Sequence, residues 1–205
     1  VLTMKNHFQQ TQFILGTPDH RQAPPDSGSE VAFAGRSNAG KSSALNVLTG
    51  QRSLARISKA PGRTREINFF AVRDGVRLVD LPGYGYAKVS KSMKDQWQRN
   101  IALYLETRES LCGVVLLMDV RHPLKDSDNQ VINWCYSAEL QTHILLTKSD
   151  KLKRGPAQAT LLKTRKALQE LHPEASIQLF SSHTREGEEE LQQILNDWLG
   201  LVNVG

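Results

Sequence analysis

Gly35 and Gly40 frame the stretch Gly-Arg-Ser-Asn-Ala-Gly-Lys-Ser, which ends in Lys41 and Ser42. Glycines at those two places let the backbone curl tightly enough for successive N–H groups to point at one anion. Lys41 adds a point charge for a β- or γ-phosphate, and the Ser42 hydroxyl is a hard oxygen ligand suited to Mg²⁺. The spacing G-x-x-x-x-G-K-S is the P-loop pattern, whose chemistry is a phosphate grip. A glycine-rich turn with a stray lysine is the plainer explanation. The apolar run Val31 to Ala34 before it and the helical run Ser43 to Thr49 after it favour the grip, because they put a helix N-terminus at the anion.

A second chemical group is Asp80-Leu81-Pro82-Gly83, a D-x-x-G that closes the run Val76 to Val79. Alone it is a weak signal. Placed after a P-loop with a hairpin between, each residue acquires a task. Asp80 would hold Mg²⁺ directly or through a water, and the Gly83 N–H would meet the γ-phosphate. The irregular stretch 50–65 is long for a loop in a compact domain and is expected to supply a second Mg²⁺ ligand. Thr64 is the only threonine between residues 50 and 79, which makes it the choice, with Ser53 and Ser58 as fallbacks.

The third group is Thr147-Lys148-Ser149-Asp150. A carboxylate at Asp150 accepts from guanine N1–H and N2–H together. Adenine offers no donor at either place and would leave the carboxylate unpaired, so guanine is expected over adenine. The Lys148 stem can lie against the base plane. Ser181-Ser182, after the apolar run Ile177 to Phe180, offers backbone N–H groups to guanine O6.

These groups need elements that bring them together. Strand-type runs cover Val31 to Ala34, Ile67 to Val72, Val76 to Val79, Leu111 to Met118, His143 to Leu146 and Ile177 to Phe180, with a hairpin turn at Asp74-Gly75. Helical periodicity follows most of them. Trp97, Ile101, Tyr104 and Leu105 share one face, as do Val131, Ile132 and Cys135, and Leu191, Ile194, Leu195, Trp198 and Leu199. Gly155 to Leu171 reads as a helix with a basic exposed side. Alternating strands and helices predict an α/β domain: a mixed, mostly parallel sheet of about six strands with helices on both faces, and the ligand at the C-terminal strand ends. Residues 1–29 read as an extra strand or extended arm followed by a proline-rich connector, and 30–200 as the catalytic domain.

With 39% hydrophobic and 23% charged residues the chain is ordinary for a globular protein. Its longest apolar run is eight residues, too short to span a bilayer, and residues 1–8 carry no apolar core of a secretion signal. Cys112 and Cys135 have no C-x-x-C spacing and suit reduced core thiols of a cytosolic protein. The net charge of +5 is unevenly spread: Arg52, Arg56, Lys59, Arg63 and Arg65 lie in one acid-free stretch, and residues 147–166 hold seven basic residues against Asp150. Such polarity suits a polyanion, most simply RNA, although a merely solvated basic surface gives the same pattern. His122 beside Pro123 reads as a loop histidine rather than a catalytic base.

Taken together, residues 35–42, Thr64, 80–83, 147–150 and 181–182 resemble the five nucleotide-binding elements of Ras-like GTPases. More narrowly, Gly35 to Ser43, Pro61-Gly-Arg-Thr64, Asp80-Leu-Pro-Gly-Tyr-Gly-Tyr-Ala87, Arg121-His-Pro-Leu-Lys-Asp126 and Leu146-Thr-Lys-Ser-Asp-Lys151 are similar to the bacterial EngB GTPases. The resemblance spans about residues 8–200 and implies a three-layer Ras-like P-loop GTPase fold. It implies GTP contacts from Gly35, Arg36, Ser37, Asn38, Ala39, Gly40, Lys41 and Ser42 in the first loop. Gly62, Arg63, Thr64, Arg65 and Glu66 would contribute from the second, and Asp80, Leu81, Pro82 and Gly83 from the third. The base would meet Thr147, Lys148, Ser149 and Asp150, then Phe180, Ser181 and Ser182. Ser42, Thr64 and Asp80 would hold Mg²⁺, directly or via water, with Lys41 and Thr64 serving catalysis. The implied biology is a cytoplasmic, monomeric GTPase, bound to no membrane, that assists assembly of the large ribosomal subunit or its rRNA precursor and is needed for normal division and septation. Two departures from the Ras-like pattern matter. Thr147 stands where asparagine is usual, and Tyr84 stands where a glutamine orients the attacking water. Slow intrinsic hydrolysis is expected, with Asn38 placed to help bind a K⁺ that substitutes for the missing stabilisation. The competing expectation is an assembly scaffold whose hydrolysis is incidental.

Overall fold

A computed structural model describes residues 5–54, 66–86 and 88–201. Among these residues, seven strands form one sheet in the order β1-β3-β4-β2-β5-β6-β7. They are β1 (Gln12–Thr17), β2 (Ser29–Gly35), β3 (Ile67–Arg73), β4 (Val76–Asp80), β5 (Leu111–Asp119), β6 (Gln141–Thr147) and β7 (Ser176–Leu179). The β1/β3 and β3/β4 pairs are antiparallel, and every other pair is parallel. The sheet has one strand more than the roughly six the periodicity suggests. The extra one is β1, which adds to the free edge of the β3–β4 hairpin.

Five helices cover the two faces: α1 (Lys41–Thr49), α2 (Lys91–Thr107), α3 (Asp126–Ser137), α4 (Arg154–Leu171) and α5 (Glu188–Leu199). Burial explains the layers. Odd and even positions of the central strands both meet apolar partners, so Val114 to Leu117 and Val31 to Ala34 are buried on either side. One core packs Ile101, Tyr104 and Leu105 of α2, Val131, Ile132 and Cys135 of α3, and Ala157, Leu161 and Leu168 of α4 onto the sheet. The opposite core packs Ala44, Leu45 and Leu48 of α1 against Leu191, Leu195 and Leu199 of α5, with Phe8 and Phe180 between. Trp198 of α5 comes down over Gly113, where an added Cβ would lie 2.6 Å from the indole ring; the close approach requires glycine. Cys112 and Cys135 are free thiols, and burial pushes the Cys135 thiol up to about 12.

The foot of β2 is held by a buried ion cluster. Glu30, fully buried, accepts from Arg77 Nε at 2.7 Å, Arg108 Nε at 2.7 Å and the Tyr104 hydroxyl at 2.9 Å. Arg77 and Arg108 also donate to the carbonyls of Ser27 and Pro24, which lashes the proline-rich connector to the domain. This end lies five residues, or roughly 17 Å, from the C-terminal end of β2. Charge at the foot therefore serves the fold and leaves the other end for chemistry.

Candidate functional site

The chain leaves β2 to the β4 side and later returns to its other side with β5, so the strand order reverses about β2. A crevice at the carboxyl ends of the strands is the natural ligand position of such a sheet. Gly35 ends β2 there, Asp80 ends β4, Asp119 ends β5 and Thr147 ends β6. The three chemical groups of the sequence thus meet at one end of the sheet.

The first loop turns between β2 and α1 through Asn38 at φ 66° and Gly40 at φ 93°. Such left-handed backbone is cheap for glycine and tolerable for asparagine. No side chain among the described residues caps α1, so its first-turn amides face the loop's concave side, as an anion grip requires. The loop is braced by its neighbours. Ser37 N–H donates to Tyr84 O at 2.7 Å and Tyr84 N–H to Gly35 O at 3.3 Å, which ties the D-x-x-G segment to it. The Thr147 hydroxyl lies between Ala39 O and Met118 O, at 2.5 and 3.1 Å. Lys148 Nζ donates to Asn38 O at 2.7 Å. Thr147 therefore spends its hydroxyl on positioning the first loop, where an asparagine was the usual residue.

Lys41 and Asp80 form an ion pair across the site. Asp80 is almost wholly buried, and its second carboxylate oxygen has no hydrogen-bond partner among the described residues. A buried carboxylate oxygen left without a donor is costly unless a cation or its water comes to it. The half-buried Ser42 lies at the start of α1, on the same loop as Lys41. Asp80 and Ser42 thus fit Mg²⁺ as oxygen donors. The expectations placed on Gly62, Arg63, Thr64 and Arg65 lie outside the described residues; Glu66, just before β3, is exposed. Leu81 and Pro82 are buried, with Leu81 N–H on Phe33 O, so they fix the strand end rather than offer side chains.

At the base-reading end, Lys148 adopts φ 58°, a strained value for a lysine, as β6 turns into a single 3-10 turn over 149–151. Asp150 is exposed. Its Oδ1 accepts from the Ser181 hydroxyl at 2.7 Å, and this bond holds its carboxyl below the usual range, hence ionised at neutral pH. Ser149 N–H donates to Phe180 O at 3.1 Å, and Phe180 N–H to Leu146 O at 2.9 Å. Phe180 is fully buried, so its side chain anchors the strand end from which the two serines follow. The structure narrows one expectation. Ser181 N–H already donates to Glu186 O at 3.0 Å, so the expected amide contact to guanine O6 falls to Ser182.

Other residues around the site were given no role by spacing. Asp119 takes Arg121 Nε at 3.0 Å and Nη2 at 2.8 Å and lies 3.6 Å from Lys148 Nζ. Burial alone would raise its pKa, yet the Arg121 bonds and charge outweigh that and hold it at about 2. Glu186 accepts from the Ser149 hydroxyl. Tyr84 is buried on Trp97, and its hydroxyl donates to Asp128 on α3 at 2.6 Å. The only sequence signal for Asp119 is a charge at the end of a fully apolar run; Glu186 and Asp128 had none. His122 is exposed in the turn after Asp119.

Comparison with known proteins gives the same reading. Residues 30–148 match the family described as 50S ribosome-binding GTPase. The chain is 55% identical over 192 residues to a probable GTP-binding protein EngB of Salmonella typhimurium, covering 94% of this chain and 91% of that one. The Salmonella typhi protein of the same description is equally similar. Among solved structures, a probable GTP-binding protein engB superposes with a TM-score of 0.68 at 21% identity, over 85% of this chain and all of that one. The translation elongation factor SelB of Methanococcus maripaludis with a GTP analogue shares the fold, with a TM-score of 0.61 at 16% identity over 87% of this chain and 35% of that one. A seven-stranded P-loop GTPase fold and 55% identity over nearly the whole length make one conclusion plain: this chain belongs to the EngB family of GTP-binding proteins.

Proposed function

We propose that this protein is a guanine-nucleotide switch with slow, Mg²⁺-dependent GTP hydrolysis that acts in assembly of the large ribosomal subunit. The observation that carries the reading is the convergence of the anion loop, Asp80 and Asp150 at one end of the sheet, braced by Thr147, Ser181 and the Ser37–Tyr84 backbone bonds. The reaction is in-line attack of water on the γ-phosphate. The amides of 35–41 hold the phosphate oxygens, and Lys41 leaves Asp80 to neutralise the charge that spreads over them. Ser42, Asp80 and Thr64 would hold Mg²⁺, which would supply further charge neutralisation when bound. Gly83 N–H and Thr64 report the γ-phosphate, and its loss releases both segments.

Tyr84 favours slow turnover. Its hydroxyl is engaged on Asp128 in the core, and burial followed by the Asp128 charge pushes the phenol well above its usual range. It therefore presents no group to an attacking water. This supports a second reading, a nucleotide-dependent rRNA-binding scaffold whose hydrolysis is incidental. K⁺ beside Asn38, or the assembling particle, would supply what Tyr84 does not. Exchanging Na⁺ for K⁺ is expected to raise turnover in the intact protein and leave an Asn38→Ala protein unchanged; equal turnover in both salts sinks the cation role.

Partner binding is read from charge and family. The basic residues of 147–166 include the exposed Lys163, Arg165 and Lys166 on α4, and the matched family is described as ribosome-binding. The division and septation role and a cytoplasmic, monomeric state follow from the family resemblance. Among the described residues no helix is long and apolar enough to cross a membrane. The deciding experiment is cosedimentation with large-subunit precursors in the presence of GDP or a non-hydrolysable GTP analogue, paired with single-turnover hydrolysis with and without particles. Binding that depends on the γ-phosphate and hydrolysis accelerated by particles support the switch. Nucleotide-dependent binding with unaccelerated hydrolysis supports the scaffold, and no binding in either state overturns both.

A further inference from the structure

The stretch Arg121-His-Pro-Leu-Lys-Asp126 has no part in gripping the nucleotide, yet each of its ends is fastened to a carboxylate that also contacts a residue in or beside the nucleotide loops. At its start, Arg121 closes on Asp119, whose carboxylate also faces Lys148 of the base-reading turn at 3.6 Å. At its end, Lys125 N–H donates at 3.1 Å to Oδ2 of Asp128, the carboxylate that caps the first turn of α3. The other oxygen of that carboxylate accepts the Tyr84 hydroxyl at 2.6 Å. Between these anchors Leu124 holds φ 54°, a strained conformation for a leucine, with its N–H on the Met118 sulfur at 3.4 Å.

Tyr84 is one residue beyond Gly83 and exchanges backbone hydrogen bonds with the anion loop through Gly35 and Ser37. Arg36 of that loop lies against Gly85, where an added Cβ would come 2.8 Å from its Nε, and Arg36 Nε is buried with no hydrogen-bond partner among the described residues. The arrangement around Tyr84 is therefore incompletely satisfied on the loop side and tightly satisfied on the α3 side. A shift of Gly83 toward a γ-phosphate must carry Tyr84. Its buried hydroxyl then takes Asp128 along or gives up that hydrogen bond in a dry interior.

We propose that the Tyr84–Asp128 hydrogen bond transmits the state of the phosphate site to the start of α3, making the 121–126 segment a further nucleotide-responsive element. Its exposed Arg121, His122 and Lys125 are the surface so repositioned. Asp128 is a positioning residue: it touches no nucleotide and acts through Tyr84. The inference rests on the reading that the γ-phosphate repositions Gly83, and the two can be separated in one experiment.

Hydrogen exchange of the full chain is measured with GDP and with a non-hydrolysable GTP analogue, in the native protein and in Tyr84→Phe. The variant removes the hydroxyl and keeps the ring on Trp97. In the native protein the amides of 121–128 are expected to differ between the two nucleotides by about fivefold or more in exchange rate, a typical coupling between sites. In Tyr84→Phe that difference falls to about twofold or less, while the difference at 81–83 remains. A hydroxyl with a merely structural role would lower the unfolding midpoint and leave the nucleotide-dependent difference in place. A native protein that responds at 81–83 and not at 121–128, or a folded Tyr84→Phe that keeps the full response at 121–128, overturns the inference and leaves the switch intact. No response at either segment overturns both.

Discussion

The hydroxyl of Thr147 makes a scaffold contact. It lies between the carbonyls of Ala39 and Met118, both buried, and it sets where the anion loop sits relative to the base-reading turn. In a Thr147→Val protein those carbonyls keep their burial and lose their donor. The expected cost is about 1–3 kcal/mol of unfolding free energy. Urea denaturation with an unchanged slope, together with weaker nucleotide binding, is the expected result; unaltered stability and affinity would show the hydroxyl to be idle. The anion loop, Asp80 and Asp150 were legible as residues because their chemistry is local in sequence. Each motif holds its donors and charges within eight positions. Asp128, Asp119 and Glu186 were not legible, because each acquires its role from a partner on another element: Tyr84 and Asp128 are 44 residues apart, and Ser149 and Glu186 are 37 apart. Only the folded chain brings them together.

Elements carry a different sensitivity. The parallel strands β5 and β6 and the helices α2, α3 and α5 could be placed from periodicity, since their apolar runs and faces have no competing reading. The N-terminal segment could not be resolved between strand and arm. Its register slips between Phe13 and Leu15, so a bulge breaks the period of two, and Phe13 and Ile14 stay exposed. The parallel pair β6–β7 contains a pH-dependent point that periodicity also hides. His143 is buried, with Nδ1 2.7 Å from Ser176 Oγ and Nε2 2.8 Å from Gln178 Oε1. The Gln178 amide nitrogen already donates to Leu179 and Gly187, so Nε2 carries the proton and the ring is neutral. Burial, opposed in part by the Gln178 bond, lowers its pKa from 6.5 to about 4. Between those values the unfolded chain binds the proton and the folded chain does not. Stability from this residue is therefore whole above pH 6.5 and is lost as pH falls toward 4, by about 3 kcal/mol in all. Unfolding free energies of the native protein and His143→Gln, compared across that window, should converge as pH falls. A constant gap would contradict the assignment.

At the scale of the whole molecule, the sheet divides labour between its two ends. The foot of β2 buries Glu30 with Arg77, Arg108 and Tyr104 and secures the connector, while the carboxyl ends hold the anion loop, the D-x-x-G aspartate and the base-reading turn. The fold class was legible because the strand–helix alternation dictates a mostly parallel sheet with helices on both faces, whereas the order of the strands, with its reversal about β2, emerges only in the folded chain. The basic surface was legible as charge, though not as a place. Exposed Lys163, Arg165 and Lys166 now lie on α4. Binding to ribosomal particles is expected to weaken steeply with salt, by about tenfold or more between 50 and 200 mM, because each neutralised phosphate releases counterions. A flat salt dependence would assign the contact to ribosomal protein instead.

The central claim is that Asp150 reads guanine while the 35–42 loop holds the attached phosphates, and purine selectivity tests it most directly. Competition of ATP, GTP and xanthosine triphosphate against a labelled guanine nucleotide should be measured for the native protein and for Asp150→Asn. The carboxylate accepts both N–H donors of guanine, whereas the carboxamide would set a donor against guanine N2–H and meet the carbonyl of xanthine instead. The native protein is expected to prefer GTP over ATP by about 100-fold or more, and the variant to lose that preference and gain xanthosine triphosphate. A folded Asp150→Asn protein that keeps an undiminished preference for GTP would contradict the account.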